Sequence, residues 1–305
     1  MDRSAITPAL VAGLVARQFP QWADLPVVPV ALDGWDNVTF RLGSTLSVRL
    51  PSAATYAAQV DKEQRWLPFL GARLPLAVPV PVARGEPDLG FPRPWSVYGW
   101  IEGATASPAT VSDPVVLATD LARVLDALYA CDTAGGPPAG GHSHRRGGPV
   151  AALDTETRGV LERLAPGLDV AGATEVWEAA LAATAPTGGV WVHGDVTGTN
   201  LLVREGRLCA VIDFGCCAVG DPACDTTVAW TLFSGPSRRA FVETLGLDAG
   251  AWARGRGWAL WKALLELYAE RHDPGHGTRV ARRMGWRRSP RQLVDDLVAD
   301  HGAAS

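Results

Sequence analysis

One segment of the chain, residues 190–225, constrains the fold more than any other, because two short apolar runs enclose a polar loop. The runs are Val190 to Val192 and Leu208 to Ile212, and both are rich in the β-branched residues that are typical of buried strands. The loop between them carries Asp195 and Asn200. The segment therefore predicts a strand, a loop and a second strand, with both polar side chains projecting toward the end of a neighbouring strand.

Four polar residues of this segment have the types and the spacing that phosphoryl transfer requires. His193, Asp195 and Asn200 form the pattern His-x-Asp-x-x-x-x-Asn, and Asp213 follows in the sequence Ile-Asp-Phe-Gly. In the kinase template for this reaction, the loop aspartate accepts the proton of the attacking hydroxyl, and the asparagine and second aspartate hold Mg²⁺. We therefore expect Asp195 to be catalytic and Asn200 and Asp213 to bind Mg²⁺, and we expect His193 to brace the loop. The same residues would also serve in a simple turn, but the joint match of all four favours catalysis.

The segment resembles the aminoglycoside phosphotransferase family, a group of small-molecule antibiotic kinases that share the protein-kinase fold. The resemblance is carried by His-Gly-Asp at residues 193–195 and by GDPACD at residues 220–225. It continues through GWDNVTFRL, VRLP, WSVYGWIEG and GWALWKALLEL, so that it spans most of the chain. It implies ATP or GTP as the phosphate donor, and it implies that Asp225 braces the catalytic loop.

The order of apolar patterns predicts an α+β, bilobal protein-kinase-like fold. Residues 1–102 are expected to form a nucleotide-binding lobe, with an antiparallel five-stranded sheet and a helix at Ala57 to Leu70. Thr7 and Pro8 predict the start of a preceding helix. The five predicted strands are Val27 to Leu32, Val38 to Leu42, Leu46 to Leu50, Val78 to Ala83 and Trp95 to Ile101. Residues 103–305 are expected to form a mainly helical lobe with the catalytic loop, the metal site and the acceptor pocket. Its predicted helices are 111–130, 151–164, 174–183, 221–233, 238–245, 251–270 and 292–301.

In the first lobe, Arg49 and Glu63 stand where the resemblance places a phosphate-contacting lysine and its carboxylate partner. Arginine keeps the charge, but its longer planar head needs a different reach, so this departure is not conservative. The motif WSVYGWIEG resembles the interlobe hinge, where backbone groups of Gly99, Trp100 and Ile101 would hydrogen-bond adenine. The departure at Arg49 leaves a nucleotide-binding pseudokinase open as an alternative, whereas the intact catalytic-loop residues favour an active enzyme.

Composition excludes several other classes of protein. The 305 residues are 47% hydrophobic and carry a net charge of −4, so the chain can bury a large core and lacks the basic surplus of a general nucleic-acid binder. No apolar run reaches about 18 residues, and the first residues show no cleavage pattern of a signal peptide. We therefore expect a cytoplasmic protein with no nucleic acid, membrane or obligate protein partner.

Two further patterns resemble metal sites, but neither predicts one. The five cysteines do not have the spacing of a zinc ribbon, and apolar neighbours predict small buried side chains. Residues 133–150 are rich in Gly and Pro and contain His142 and His144 without nearby cysteine or carboxylate partners. This stretch is expected to be a mobile, solvated loop with a role over the active site.

The expected reaction is O-phosphorylation of a small molecule, an antibiotic such as an aminoglycoside or a macrolide. Aminoglycosides are polycations, so their pocket would need carboxylates. The candidates are Asp154, Glu156, Glu266, Glu270, Asp273, Asp295 and Asp296. The same region holds many arginines and tryptophans, which suit an apolar macrolide or a sugar face, so a kinase of a small amino alcohol or sugar metabolite stays open. A protein kinase would need a long segment with an acceptor residue between the Asp-Phe-Gly and a peptide-positioning motif. Here that segment is only the short GCCAVGDPACD after residues 213–214, so a protein kinase is disfavoured.

Overall fold

The computed structural model describes residues 2–30, 34–165 and 167–304, without the side chains of residues 281, 283 and 304. These residues divide into two compact units. Unit 1 contains Met1–Glu102 and Ala210–Cys216, and unit 2 contains Gly103–Cys209 and Cys217–Ser305. Within the described residues, no helix combines the length and the apolar character needed to cross a membrane.

Unit 1 is built on an antiparallel five-stranded sheet, as the sequence predicts. Its strands are β1 (Val27–Pro29), β2 (Asn37–Leu42), β3 (Leu46–Pro51), β4 (Pro81–Gly85) and β5 (Trp95–Gly99), in the order β1-β2-β3-β5-β4. Residues 31–33, which include the end of the predicted first strand, lie outside the described residues.

Strand β4 begins three residues later than predicted, at Pro81 rather than Val78. The local sequence alternates proline with other residues, and proline has no N–H group to donate to a sheet. The strand lies at the edge of the sheet, where the missing donors cost least, and its pairing with β5 shifts register between Pro81 and Ala83.

Two helices accompany the sheet. The predicted first helix is α1 (Pro8–Gln18), and the Thr7 side chain caps it by accepting a hydrogen bond from the N–H of Leu10 at 3.3 Å. It buries Val11 and Leu14 in one cluster with Phe40 and other apolar residues of the sheet. Each fully buried side chain of this kind stabilises the unit by roughly 1.5–3 kcal/mol. The second helix, α2 (Ala57–Gly71), contacts β4 and β5.

Unit 2 is mainly helical, as predicted. Its helices are α3 (Pro114–Tyr129), α4 (Asp154–Leu164), α5 (Val170–Ala182), α6 (Val228–Thr231), α7 (Gly235–Leu245), α8 (Ala249–His272), α9 (His276–Met284) and α10 (Pro290–Ala304). The long helix α8 contacts α4, α5, α9 and α10, so it forms the centre of the unit.

Short strands support the loop that the sequence singles out. Strand β7 (Val190–Val192) pairs antiparallel with β10 (Ala218–Gly220). Strands β6 (Ala104–Thr105), β8 (Leu201–Arg204) and β9 (Arg207–Val211) form a second small sheet in the order β6-β8-β9. The sequence predicts β7 and β9 but not β6, β8 or β10.

Three regions of unit 2 differ from the prediction. The helix predicted over 221–233 is a 3-10 helix, Pro222–Thr227, followed by the single turn of α6. Helix α9 was missed, because its sequence HGTRVARRM is too polar for an apolar stripe to stand out. Residues 133–150 are not the predicted mobile loop but pack on the unit. Ser143 is fully buried there, and the N–H of Ala139 donates to the carbonyl oxygen of Val219 at 2.9 Å.

Candidate active site

In unit 2, the loop after β7 is fixed by a buried carboxylate from the 3-10 helix Pro222–Thr227. Asp225 is fully buried and accepts hydrogen bonds from the N–H groups of His193 at 2.9 Å and Gly194 at 2.7 Å. Gly194 has φ +83°, a conformation that glycine adopts without strain. Burial raises the pKa of Asp225, while His193 and the two N–H groups oppose that rise. Asp225 therefore holds the backbone that presents the next residue, Asp195.

Hydrogen bonds between the loop's own side chains and backbone hold the rest of the loop after β7 in place. The N–H of Asp195 donates to Nδ1 of His193 at 3.2 Å, so His193 takes the bracing position within the loop. Asn200 ends a 3-10 helix, Gly198–Asn200, and its Nδ2 donates to the carbonyl oxygen of Asp195 at 2.9 Å and to Oδ2 at 3.4 Å. Because Nδ2 is engaged in this way, the Oδ1 atom of Asn200 is the one suited to a hard cation.

Two cations that sequence reasoning missed act on Asp195. Nζ of Lys262, on α8, lies 2.9 Å from Oδ1 of Asp195, and the side chain of Lys262 is only 7% exposed. Burial raises the pKa of Asp195, but the attraction of Lys262 and of Arg146 outweighs burial and lowers the pKa to about 2. Asp195 is therefore an ionised carboxylate across the physiological pH range and a weak proton acceptor.

The guanidinium of Arg146 packs against two tryptophan rings of helix α8. Its guanidinium lies 4.7 Å from the ring centroid of Trp261 and 5.7 Å from that of Trp258. Among the residues that the structure describes, its buried Nε and Nη1 atoms have no hydrogen-bond partner. The positive charge of Arg146 is thus stabilised by the two aromatic rings and by the attraction of Asp195.

Sequence signals for these two cations existed but were weak. Lys262 follows Leu260 and Trp261 and precedes Ala263 and Leu264, so that it falls within an apolar helix. Lysine is almost never fully buried unless it is paired, which makes a lysine in such a run a candidate for an ion pair. Arg146 lies in the segment interpreted as a solvated loop, and no local pattern places it beside Asp195.

In unit 1, the predicted nucleotide-contacting residues form a separate ion cluster. Nη1 of Arg49, on β3, lies 3.7 Å from Oε1 of Glu63 on α2, and its Nη2 lies 2.7 Å from Oδ1 of Asp213. The hydroxyl of Tyr98 donates to the other oxygen of Glu63. Burial raises the pKa of Glu63, although Arg49 and Tyr98 oppose it. Burial lowers the pKa of Arg49, but Asp213 and Glu63 outweigh it and raise the pKa above its already high value.

Asp213 is presented by an unusual backbone conformation. It has φ +66°, in the left-handed region that non-glycine residues rarely adopt. The following Phe214 is buried, and the carbonyl oxygen of Gly215 accepts a hydrogen bond from Nζ of Lys62 at 2.7 Å. Such conformations persist only where neighbouring contacts enforce them, and they cluster at functional sites. The Asp213 side chain stays 30% exposed, so that a ligand can reach it.

The turn at residues 34–37 is held by the N-terminal 3-10 helix. Arg3 donates from Nη1 to the carbonyl oxygen of Trp35 at 2.9 Å and from Nη2 to that of Gly34 at 2.8 Å. Ser52 donates to the same oxygen of Trp35 at 2.6 Å. Hydrogen bonds from the side chains of Arg3 and Ser52 therefore fix this turn, which contains a single glycine.

The three predicted hinge residues follow at the end of β5. The N–H of Gly99 donates to the carbonyl oxygen of Val80 at 3.1 Å, and the N–H of Trp100 donates to that of Thr45 at 2.8 Å. These two N–H groups are therefore already engaged in hydrogen bonds to neighbouring backbone carbonyl groups. A Cβ atom built on Gly99 would meet no atom within 4 Å, so this backbone borders open space.

No site made of protein ligands alone is evident for a metal ion. Among the described residues, no group of three or more His, Cys, Asp or Glu side chains could hold one. Within the described residues none of the five cysteines forms a disulfide bond, and Cys209 and Cys216 are half-buried rather than fully buried as expected. Asn200 in unit 2 offers an amide oxygen and Asp213 in unit 1 offers a carboxylate, and both are ligand types that Mg²⁺ accepts.

The fold and the catalytic loop define a class of protein with a kinase-like architecture that catalyses phosphoryl transfer. The model of the phosphotransferase enzyme family (APH) matches residues 27–259, so the chain belongs to that family. The resemblance inferred from the sequence is therefore confirmed, and the chain is a phosphotransferase.

Solved structures of this family share the fold. Wild-type aminoglycoside 2'-phosphotransferase-IIIa in its GDP complex is 18% identical, with 97% of this chain and 99% of that chain covered and a TM-score of 0.70. Macrolide 2'-phosphotransferase type I is 20% identical, with coverage of 91% and 95% and a TM-score of 0.60. An apoenzyme of macrolide 2'-phosphotransferase from Brachybacterium faecium is 22% identical, with coverage of 91% and 97% and a TM-score of 0.59. Among curated protein sequences, none matches the chain significantly.

Proposed function

We propose that this phosphotransferase moves the terminal phosphate of ATP or GTP to a hydroxyl group of a small molecule, an antibiotic such as an aminoglycoside or a macrolide. The observation that carries the proposal is the catalytic loop, where Asp225 holds the backbone and Asn200 and Lys262 hold Asp195. Similar structures of known name are aminoglycoside and macrolide phosphotransferases, which supports this substrate range.

Asp195 is proposed to orient the acceptor. Its carboxylate accepts the hydrogen bond of the reacting hydroxyl, whose oxygen forms the new bond to phosphorus while the bond to the nucleoside diphosphate breaks. Since the pKa of Asp195 is about 2, its main contribution is alignment, and it takes the proton only as the oxygen is being phosphorylated. In kinase-like enzymes, catalysis of this kind depends mainly on positioning and on neutralising charge.

The nucleotide is proposed to depend on residues 1–102, and residues 103–305 are proposed to provide the catalytic loop and the acceptor pocket. Arg49, supported by Glu63, would contact phosphate oxygens, and Gly99 to Ile101 would contact the base. Asn200 and Asp213 would provide oxygen ligands to Mg²⁺. When bound, Mg²⁺ neutralises negative charge on the phosphates. We expect the protein to work in the cytoplasm with no nucleic acid, membrane or obligate protein partner.

Two alternatives are kept, each for one reason. A kinase of a small amino alcohol or sugar metabolite would use the same reaction with a different pocket lining. A nucleotide-binding pseudokinase is favoured by the 2.7 Å ion pair between Arg49 and Asp213, since it engages the carboxylate that should serve the metal.

A coupled assay of nucleoside diphosphate release tests the proposal. ATP or GTP with Mg²⁺ is supplied together with aminoglycosides, macrolides, peptide antibiotics and small amino alcohols in turn. Release that depends on an acceptor and is lost in Asp195→Ala supports the transferase and identifies its substrate class. Nucleotide binding without release for any acceptor would instead support the pseudokinase.

A further inference from the structure

The carboxylate that faces the acceptor is paired with a buried cation. Nζ of Lys262 lies 2.9 Å from Oδ1 of Asp195, and Arg146 adds a second attraction. The side chain of Lys262 is 7% exposed, and the guanidinium of Arg146 lies 4.7 Å from the ring centroid of Trp261. Two cations of unit 2 therefore act on the carboxylate of Asp195.

The carboxylates that could attract a polycation are already engaged. Six of the seven acidic candidates of this region have a positively charged or N–H partner. The pairs are Asp154 with Arg158, Glu156 with Trp261, Glu266 with His276, Asp273 with Arg279, Asp295 with Arg291 and Asp296 with Arg288. These partners offset part of the negative charge that would attract a polycation.

We propose that Lys262 and Arg146 select the acceptor by charge, so that the enzyme phosphorylates an uncharged or anionic hydroxylated molecule and disfavours polycations. The inference rests on the proposed function and narrows it, because among the acceptors of that same reaction it disfavours the polycationic aminoglycosides. Specificity is a difference of affinities, and an unfavourable charge placed against the wrong ligand is one way to create it. Lys262 also positions Asp195, so the charge that selects the acceptor and the charge that aligns the carboxylate are the same.

A matched pair of ligands tests the charge selection directly. Kanamycin is a polycation, and its per-N-acetylated form keeps the rings and the hydroxyl groups but has no positive charge. Calorimetric affinities are measured for both, at low ionic strength where screening is weak, with Mg²⁺ and a non-hydrolysable nucleotide present. We expect the acetylated form to bind at least about tenfold more tightly. Tighter binding of kanamycin, equal binding, or binding of neither ligand overturns the proposal.

Two variants assign the effect to Lys262. In Lys262→Met the side chain keeps its length and loses its charge, and we expect the preference for the acetylated ligand to shrink by about fivefold or more. In Lys262→Arg the charge is kept, and the preference should be retained. An unchanged preference in Lys262→Met would remove Lys262 from specificity and leave it a structural role only. If Lys262→Met does not fold, the wild-type affinities still decide whether polycations are disfavoured.

The test separates this inference from the proposed function, because affinity is measured without turnover. Loss of the proposed function would show as no phosphate transfer to any acceptor, including acceptors that bind. Loss of the charge selection would show as tight binding of kanamycin by an enzyme that is otherwise active.

Discussion

The two ion clusters of this protein are built around charges of opposite sign. In unit 1 the guanidinium of Arg49 is shared by two carboxylates, Glu63 and Asp213, and Lys62 also attracts Glu63. In unit 2 two cations, Lys262 and Arg146, act on the carboxylate of Asp195. We propose that the first cluster serves the metal and the phosphates and that the second acts at the acceptor hydroxyl. On this proposal the comparison teaches that one reaction can use two local fields of opposite sign.

The largest expected effect comes from removing the carboxylate of unit 2. Asp195→Ala should lower kcat by about 10²–10⁴-fold, because a positioned proton acceptor contributes about that much to catalysis. Nucleotide affinity should stay within about threefold of wild type, since Asp195 belongs to the acceptor end of the reaction. Single-turnover transfer rates and nucleotide titrations measure the two effects.

Asp195→Asn is the matched control for that variant, because it keeps the size of the side chain while removing its charge. Removing the partner of buried Lys262 can itself destabilise the unit, and both variants therefore need thermal unfolding curves. Retained transfer in a folded Asp195→Asn enzyme would contradict the catalytic role.

The role of the Asp213 carboxylate in unit 1 is tested by removing its charge. Asp213→Asn should raise the Mg²⁺ concentration that gives half-maximal activity by about 10–100-fold, the usual cost of disturbing a metal-binding group. Glu63→Gln is the comparison variant, since Glu63 belongs to the same cluster but is buried and serves Arg49. An equal shift of the Mg²⁺ requirement in both variants would mean that total charge, rather than Asp213 as a ligand, governs metal binding.

A smaller effect is expected where unit 1 borders open space at Gly99. Gly99→Val should weaken nucleotide binding by about tenfold, because the added side chain would occupy the space proposed for the base. The melting temperature should stay close to that of wild type, since a Cβ at this position meets no atom within 4 Å. Unchanged affinity in calorimetric titrations would move the base away from this backbone.

The sequence predicts one of the two clusters well and the other poorly. Arg49, Glu63 and Asp213 are found from motifs, because the kinase template specifies a basic residue on a strand, an acidic residue on a helix and an Asp-Phe-Gly. Lys262 and Arg146 belong to no motif, and they meet Asp195 only through the packing of α8 and of residues 133–150 on the loop.

The fold shows the same division between local and non-local information. The five strands and the helices with clear periodicity were predicted, because a buried face repeats along the chain. Helix α9 and the 3-10 helix Pro222–Thr227 were not, since their conformations depend on neighbours rather than on an apolar period. The Gly- and Pro-rich segment was wrongly expected to be mobile, because composition alone does not reveal that Ser143 is buried and hydrogen-bonded.

The smallest expected effect in the comparison of the two clusters is on the pKa of Asp195. Its value of about 2 lies below the ordinary value, so the interactions of the ionised carboxylate stabilise the folded protein above about pH 4. That contribution is lost as the pH falls from about 4 toward 2. The pH dependence of stability that comes from Glu63 has the opposite sign, because its pKa is raised. Its ionisation lowers the stability of the folded protein as the pH rises above the ordinary pKa of a glutamate.

Carbon-13 NMR of the side-chain carboxyl groups measures these values. In Lys262→Met the largest attraction on Asp195 is removed, and we expect its pKa to rise by about one unit or more, which corresponds to about 1.4 kcal/mol. In Lys262→Arg the charge remains, and the pKa should stay near that of wild type. A pKa of Asp195 that does not change in Lys262→Met would mean that the ion pair adds nothing to the field at the carboxylate. The two clusters, Arg49 with Glu63 and Asp213 in unit 1 and Asp195 with its cations in unit 2, would then differ only in their geometry. The balance of charge would play no part in the choice of acceptor.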